Sequence, residues 1–163
     1  MLDLFRKTAL TFAVALGLSL VGSALDAKGT LSTVATFRSG NMQLDVATYI
    51  SAEAKPPDDK VGLLGVTNPP LKISFAFDRK DVDAIIALCA RTAKTQSPTW
   101  KTVGSRKETG TSDVSEIAFS AGPGAIRVVI SSPALGAVTY NMPSADAPRL
   151  EQALNQVKAF LRQ

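Results

Sequence analysis

The fold is decided by one stretch of the chain, residues 71–90, which reads LKISFAFDRKDVDAIIALCA. Leu71, Ile73, Phe75 and Phe77 alternate with polar or small residues, which is the pattern of a strand with one buried face. After Phe77 the apolar residues recur about every 3.6 positions, as in an amphipathic helix. This change of period predicts a mixed fold in which a helix covers a sheet.

The helix predicted after Phe77 has a defined start, stripe and end. Asp78 precedes it in a capping position, and the break at 96–98 ends it. Its inward stripe consists of Val82, Ile85, Ile86 and Cys89. Cys89 is the only cysteine, so no internal disulfide can form, and its apolar neighbours predict a buried thiol.

Strand patterns occur on both sides of this stretch. Three precede it, at 31–38, 42–50 and 61–66, and four follow it, at 100–107, 114–120, 125–131 and 136–142. A second amphipathic helix, capped by Ser144 or Asp146, closes the chain. The sequence therefore predicts an α+β fold with a mostly antiparallel sheet of about seven or eight strands and two amphipathic helices.

The two passages from strand to helix resemble each other. Laying Asp81 over Asp146 superimposes the inward positions of both helices, with Phe77 on Met142, Ile85 on Leu150, Cys89 on Leu154 and Thr92 on Val157. One interpretation is a duplicated ββββα unit. The alternative is that capped amphipathic helices resemble one another for physical reasons alone.

The amino terminus has the pattern of a secretory signal peptide. Arg6 and Lys7 precede a stretch, 8–25, that carries no charge and ends near the small residues Gly22, Ser23 and Ala24. We predict a signal peptide at 1–24, with cleavage after Ala27 as the alternative, and a single soluble domain at 25–163. The protein would then be periplasmic or secreted, with no stable membrane span after cleavage. The rival interpretation is an uncleaved membrane anchor.

Charge and composition narrow the function classes. Lysine and arginine number 18 against 14 acidic residues, and they are scattered along the chain, so no nucleic-acid partner is expected. Histidine is missing from the sequence, which removes the commonest general base and zinc ligand. The acidic doublet Asp58-Asp59 is typical of a solvated turn. We expect neither a metal nor a cofactor.

The segment 100–108 is the candidate partner-binding surface. Trp100 combines apolar area with a hydrogen-bond donor, and Lys101, Arg106 and Lys107 can hold an anionic partner. The alternative is structural: Trp100 covers the end of a core, and the cations protect a sheet edge.

No recognised catalytic motif is present. A Gly-x-Ser-x-Gly elbow is missing from the sequence, and Ser105 with Lys107 is only a formal serine-lysine pair. The favoured function is an exported, non-enzymatic protein of the bacterial envelope that binds a protein, an anionic lipid or a glycan. The alternative is a small exported hydrolase whose serine and lysine meet only in three dimensions. The sequence does not indicate an oligomeric state.

Overall fold

The structure is a computed structural model that describes residues 29–56, 59–108 and 115–163. The predicted signal peptide, Asp58 and most of the connection between the strands predicted at 100–107 and 114–120 lie outside these ranges. Within the described residues, neither of the two α-helices defined below is long and apolar enough to cross a membrane.

The first half of the fold is an antiparallel sheet followed by a helix. The strands are β1 (Gly29–Ser39), β2 (Met42–Ser51), β3 (Lys60–Asn68) and β4 (Leu71–Phe77), and they pair in chain order to form the first sheet. Helix α1 (Val82–Lys94) follows. In the turn before it, a carboxylate oxygen of Asp78 accepts hydrogen bonds from the backbone N–H groups of Lys80 and Asp81.

The second half has the same order of elements. Its strands are β5 (Lys101–Lys107), β6 (Glu116–Gly122), β7 (Ala125–Ser132) and β8 (Gly136–Pro143), again paired in chain order, and they form the second sheet. A short 3-10 helix, Ser144–Asp146, leads into helix α2 (Ala147–Leu161).

The predicted α+β class, with eight strands and two helices, is confirmed. The prediction of one sheet is wrong, because the strands form two separate four-stranded sheets. The division occurs where α1 interrupts the chain. β4 and β5 lie on either side of that helix, and each is an edge strand of its own sheet.

Each helix packs mainly against the sheet of the other half. Helix α2 contacts β1, β2 and β3 of the first sheet, whereas α1 contacts β5 and β6 of the second. Strand β8 contacts all four strands of the first sheet, and the two helices contact each other. The inner faces of both sheets are therefore buried by elements from the opposite half of the chain.

The core is formed by the alternating apolar residues of the inner faces. In the first sheet Leu64 pairs with both Val46 and Phe75, and in the second Val128 pairs with both Phe119 and Tyr140. All six side chains are at most 1% exposed. The helices add their inward stripes, which include Ile85, Leu88, Cys89, Leu150, Leu154 and Val157.

A charged cluster joins the exposed sides of the two helices. The carboxylate of Asp83 in α1 accepts a hydrogen bond from Arg162 at 2.6 Å and lies 2.7 Å from Nζ of Lys158 in α2. The hydrogen bond from Lys158 is the main cause that lowers the pKa of Asp83 below its ordinary value.

The contact between β3 and α2 depends on Gly62. A Cβ at this position would lie 2.5 Å from the ring of Phe77 and 2.7 Å from Val157 of α2. We expect Gly62→Ala to lower the free energy of unfolding by about 1–3 kcal/mol, since strand and helix would have to move apart.

Gly65→Ala is the matched control, because Gly65 lies on the same strand and its added Cβ would meet Ser74 at 3.1 Å on the outer face. Urea unfolding of both variants measures the difference. Equal urea midpoints for the two variants would contradict the packing of α2 on β3 at Gly62.

Candidate functional site

The outer face of the second sheet carries a row of polar side chains across all four strands. The register pairs Thr102 with Ser120, Ser120 with Arg127, and Arg127 with Asn141. Paired residues of an antiparallel sheet point to the same side. Their neighbours Ile126 and Met142 point into the core, so the four side chains, here called the polar row, face away from it.

Two hydrogen bonds link the members of the polar row in pairs. The hydroxyl oxygens of Thr102 and Ser120 lie 3.4 Å apart, and Nε of Arg127 donates to Oδ1 of Asn141 at 2.9 Å. The second bond fixes the direction of the guanidinium group. It leaves the terminal nitrogens of Arg127 available as donors for another group.

Trp100 supports this guanidinium from the start of β5. The Cζ atom of Arg127 lies 3.8 Å from the centroid of the indole ring, which is a close cation–π contact. The indole in turn packs on Gly122, where an added Cβ would come within 2.5 Å of Cε3. Trp100 remains 38% exposed. The ring therefore orients Arg127 while keeping it at the protein surface.

The charge of Arg127 is not compensated within the described part of the chain, where none of the salt bridges involves it. The contrast is Asp45 on the outer face of the first sheet. Its carboxylate accepts hydrogen bonds from Thr36 and Gln43 and lies 3.9 Å from Nζ of Lys72. Asp45 thus has internal partners for its charge, whereas among the described residues Arg127 contacts the uncharged indole of Trp100 and the amide of Asn141.

A depression continues the outer face beyond Asn141. It has a volume of about 270 Å³ and lies between Val138, Thr139 and Asn141 of β8 and residues of the first sheet, Met42, Asn68 and Leu71. A second depression, of about 500 Å³, includes Gly122 beneath the indole and extends over 95–98. The first recess thus shares Asn141 with the polar row, and the second shares Gly122 with the contact of Trp100.

The predicted surface at 100–108 is only partly brought together. Trp100 lies on the outer face, and Lys107 pairs with Glu116 at the far end of the same face. Lys101 pairs with Ala121 and Arg106 with Ile117, both buried core residues, so these two cations lie on the opposite side of β5. That side is where Leu88 of α1 packs near Gly104.

A β-bulge explains this division. The register of β5 shifts between Thr102 and Gly104, which makes Val103 the extra residue. In a regular strand Arg106 would share a face with Trp100 and Thr102. The bulge reverses the alternation after Val103, and so it turns Ser105 and Lys107 outward in place of Arg106.

Four residues of the site were not found from the sequence: Ser120, Gly122, Arg127 and Asn141. The only signal was that Arg127 interrupts the apolar run of β7 at an outward position. Its neighbours depend on the cross-strand register, which alternation within one strand does not specify.

The polar row offers hydrogen-bonding groups and one positive charge, but it contains neither a carboxylate nor another general base. Ser105 and Lys107, the formal catalytic pair, are both exposed on the edge strand. Among the described residues no three side chains of the metal-ligating types cluster together. The chemistry that this arrangement offers is recognition of an anion by a fixed guanidinium.

Comparison with models of protein families gives no match for this chain, and comparison with curated proteins gives none either.

The single tryptophan makes the site visible by spectroscopy. We expect Gly122→Ala to displace the indole, because the new methyl group would occupy its place. The result would be a red shift of the tryptophan emission and a loss of near-UV circular dichroism. Ala118→Ser, four residues earlier on the same face of β6, should change neither signal. An unchanged emission spectrum in Gly122→Ala would contradict the packing of Trp100 on Gly122.

Cys89 is predicted to be chemically inert in the folded protein. Burial in α1, followed by the nearby Glu151 carboxylate, raises the pKa of its thiol from 9.0 to about 12. We expect no reaction with a maleimide at pH 8 under native conditions and complete reaction in urea, measured by mass. Rapid labelling of the native protein would contradict the burial of this thiol.

Proposed function

We propose that this protein is an exported, non-enzymatic binding protein of the cell envelope, and that the outer face of the second sheet is its binding surface. The observation that carries the proposal is the Arg127 guanidinium. It is stacked on Trp100 and fixed by Asn141, without a carboxylate partner among the described residues. A preorganised guanidinium group whose terminal N–H donors are free is suited to bind an anionic partner.

The exported location is supported by the sequence of the amino terminus, where a basic head precedes the uncharged segment 8–25. Its test is the mass of the protein recovered from the producing cells. Cleavage after Ala24 leaves Leu25 as the first residue, and the alternative cut leaves Lys28. An intact Met1 on protein from the cytosol would overturn the proposed export.

Binding can be tested with the chain 25–163 and a washed envelope fraction. We expect the wild-type protein to sediment with the envelope, and Arg127→Gln to reduce the bound fraction at least fivefold. Arg106→Gln is the matched control, because it removes the same charge from the opposite side of the second sheet. Failure of the wild-type protein to sediment, or equal losses in both variants, would contradict the proposal.

We further propose that the chain arose by duplication of a ββββα unit. Both sheets pair in chain order, and both first strands have a one-residue bulge. In β1 the bulge precedes Ala35, the partner of Val46, and in β5 it precedes Gly104, the partner of Phe119. We lay Asp81 over Asp146 and then follow the paired residues from strand to strand, from β4 back to β1 and from β8 back to β5. The two bulges then fall at equivalent positions.

The duplication is tested by superposing the two halves of an experimental structure of the mature chain. Agreement over all eight strands, with both bulges aligned, would support it. Bulges at different register positions would contradict it.

A further inference from the structure

We propose that the ligand of this face is an acidic polysaccharide whose carboxylates are bound by Arg127. This inference rests on the proposed binding function and names its ligand class. It follows from three properties of the outer face: the number of its charges, the size of its apolar groups and the direction of the polar row.

The charge of the site fits one carboxylate. Asn141 occupies Nε of Arg127 and the indole covers the plane of the group, so the terminal nitrogens remain to bind an anion. Two parallel N–H donors match the two oxygens of a planar carboxylate. The polar row has no second cation, and Lys107 lies at the far end of the face beside Glu116.

A lipid membrane is a poor match for this single charge. Binding to an anionic lipid surface usually needs a cluster of about four to eight lysine or arginine side chains. Lys101 and Arg106 are the nearest further cations on β5, and both lie on the opposite side of the strand. The outer face therefore lacks the clustered charge that a membrane surface requires.

A protein partner is also disfavoured by the side chains of the face. Protein interfaces are anchored by large apolar or aromatic groups in a desolvated centre. The outward positions between the polar row and Lys107 carry no aromatic or long apolar side chain, and they are Ser105, Ala118, Val129 and Thr139. Trp100 is the one large aromatic side chain there, and Arg127 already covers part of its ring.

An extended polyhydroxylated chain fits the remaining polar groups of the outer face. The polar row supplies the exposed hydroxyl of Thr102 and the amide of Asn141 on either side of Arg127, whereas Ser120, only 7% exposed, contacts the Thr102 hydroxyl from within the sheet. Three steps between neighbouring strands, at about 4.8 Å each, make the polar row about 14 Å long. Asn141, the last member of the row, also lines the depression of about 270 Å³. Hydroxyl and amide groups in such a line can exchange hydrogen bonds with successive sugar units.

The test is the affinity of the chain 25–163 for two trisaccharides, one of galacturonic acid and one of galactose, measured by calorimetry. We expect binding of the acidic trisaccharide and at least tenfold weaker binding of the neutral one. Arg127→Gln should weaken binding of the acidic trisaccharide by about tenfold or more, which is the usual effect of losing charged hydrogen bonds. Arg106→Gln should change it less than twofold.

Arg127→Lys is the second variant, because it keeps the charge and removes the planar pair of donors. Near-UV circular dichroism confirms that each variant has folded. Equal affinity of Arg127→Lys and wild type would overturn binding through two parallel donors. Equal affinity for both trisaccharides would overturn the requirement for a carboxylate.

Vesicles containing phosphatidylglycerol provide the remaining comparison. Binding to vesicles without binding to the acidic trisaccharide would overturn the inference in favour of a lipid. Arg127-dependent retention on the envelope, without binding to either probe, would refute the acidic glycan but leave the proposed function intact. Absence of envelope retention as well would refute both.

Discussion

The structure depends on the exchange of covering elements between its two halves. A four-stranded sheet with one apolar face cannot bury that face by itself, and here neither sheet is covered mainly by the helix that follows it in the chain. The inner face of the first sheet is buried by β8 and α2, whereas that of the second is covered in part by α1. Each half therefore completes the core of the other, and the contact at Gly62 shows how closely a helix of one half approaches the sheet of the other.

In the part of the chain that the structure describes, this exchange leaves the outer faces of both sheets without a covering helix, and the two faces have different electrostatics. On the first sheet, Asp45 is satisfied by Thr36 and Gln43 and lies close to Lys72. On the second, Arg127 is held in place by an aromatic ring and an amide, neither of which carries a charge. Fixing a cation without neutralising it preserves its capacity to attract an anion, and this difference is the reason why we propose the second face as the binding surface.

The sequence predicts the individual elements well because each has a strong local period. The alternation at 71–77 and the helical stripe after it correspond closely to β4 and α1. The division into two sheets was not predicted, since alternation within a strand does not identify its pairing partner. Trp100 was found because a lone tryptophan is conspicuous. Arg106 was assigned to the same surface because the bulge at Val103 cannot be read from composition, and Arg127 and Asn141 become neighbours only through the register.

The order of synthesis gives the exchange of covering elements a further consequence. The strands of the first sheet are made first, but the segments that bury their inner face, β7, β8 and α2, all lie beyond residue 124. A nascent chain that ends before this point has no means of completing its core, so it must stay open until nearly the last residue has left the ribosome. Such late closure would agree with the export that we propose, because a chain that crosses a membrane through a narrow channel does so as an extended thread before it folds.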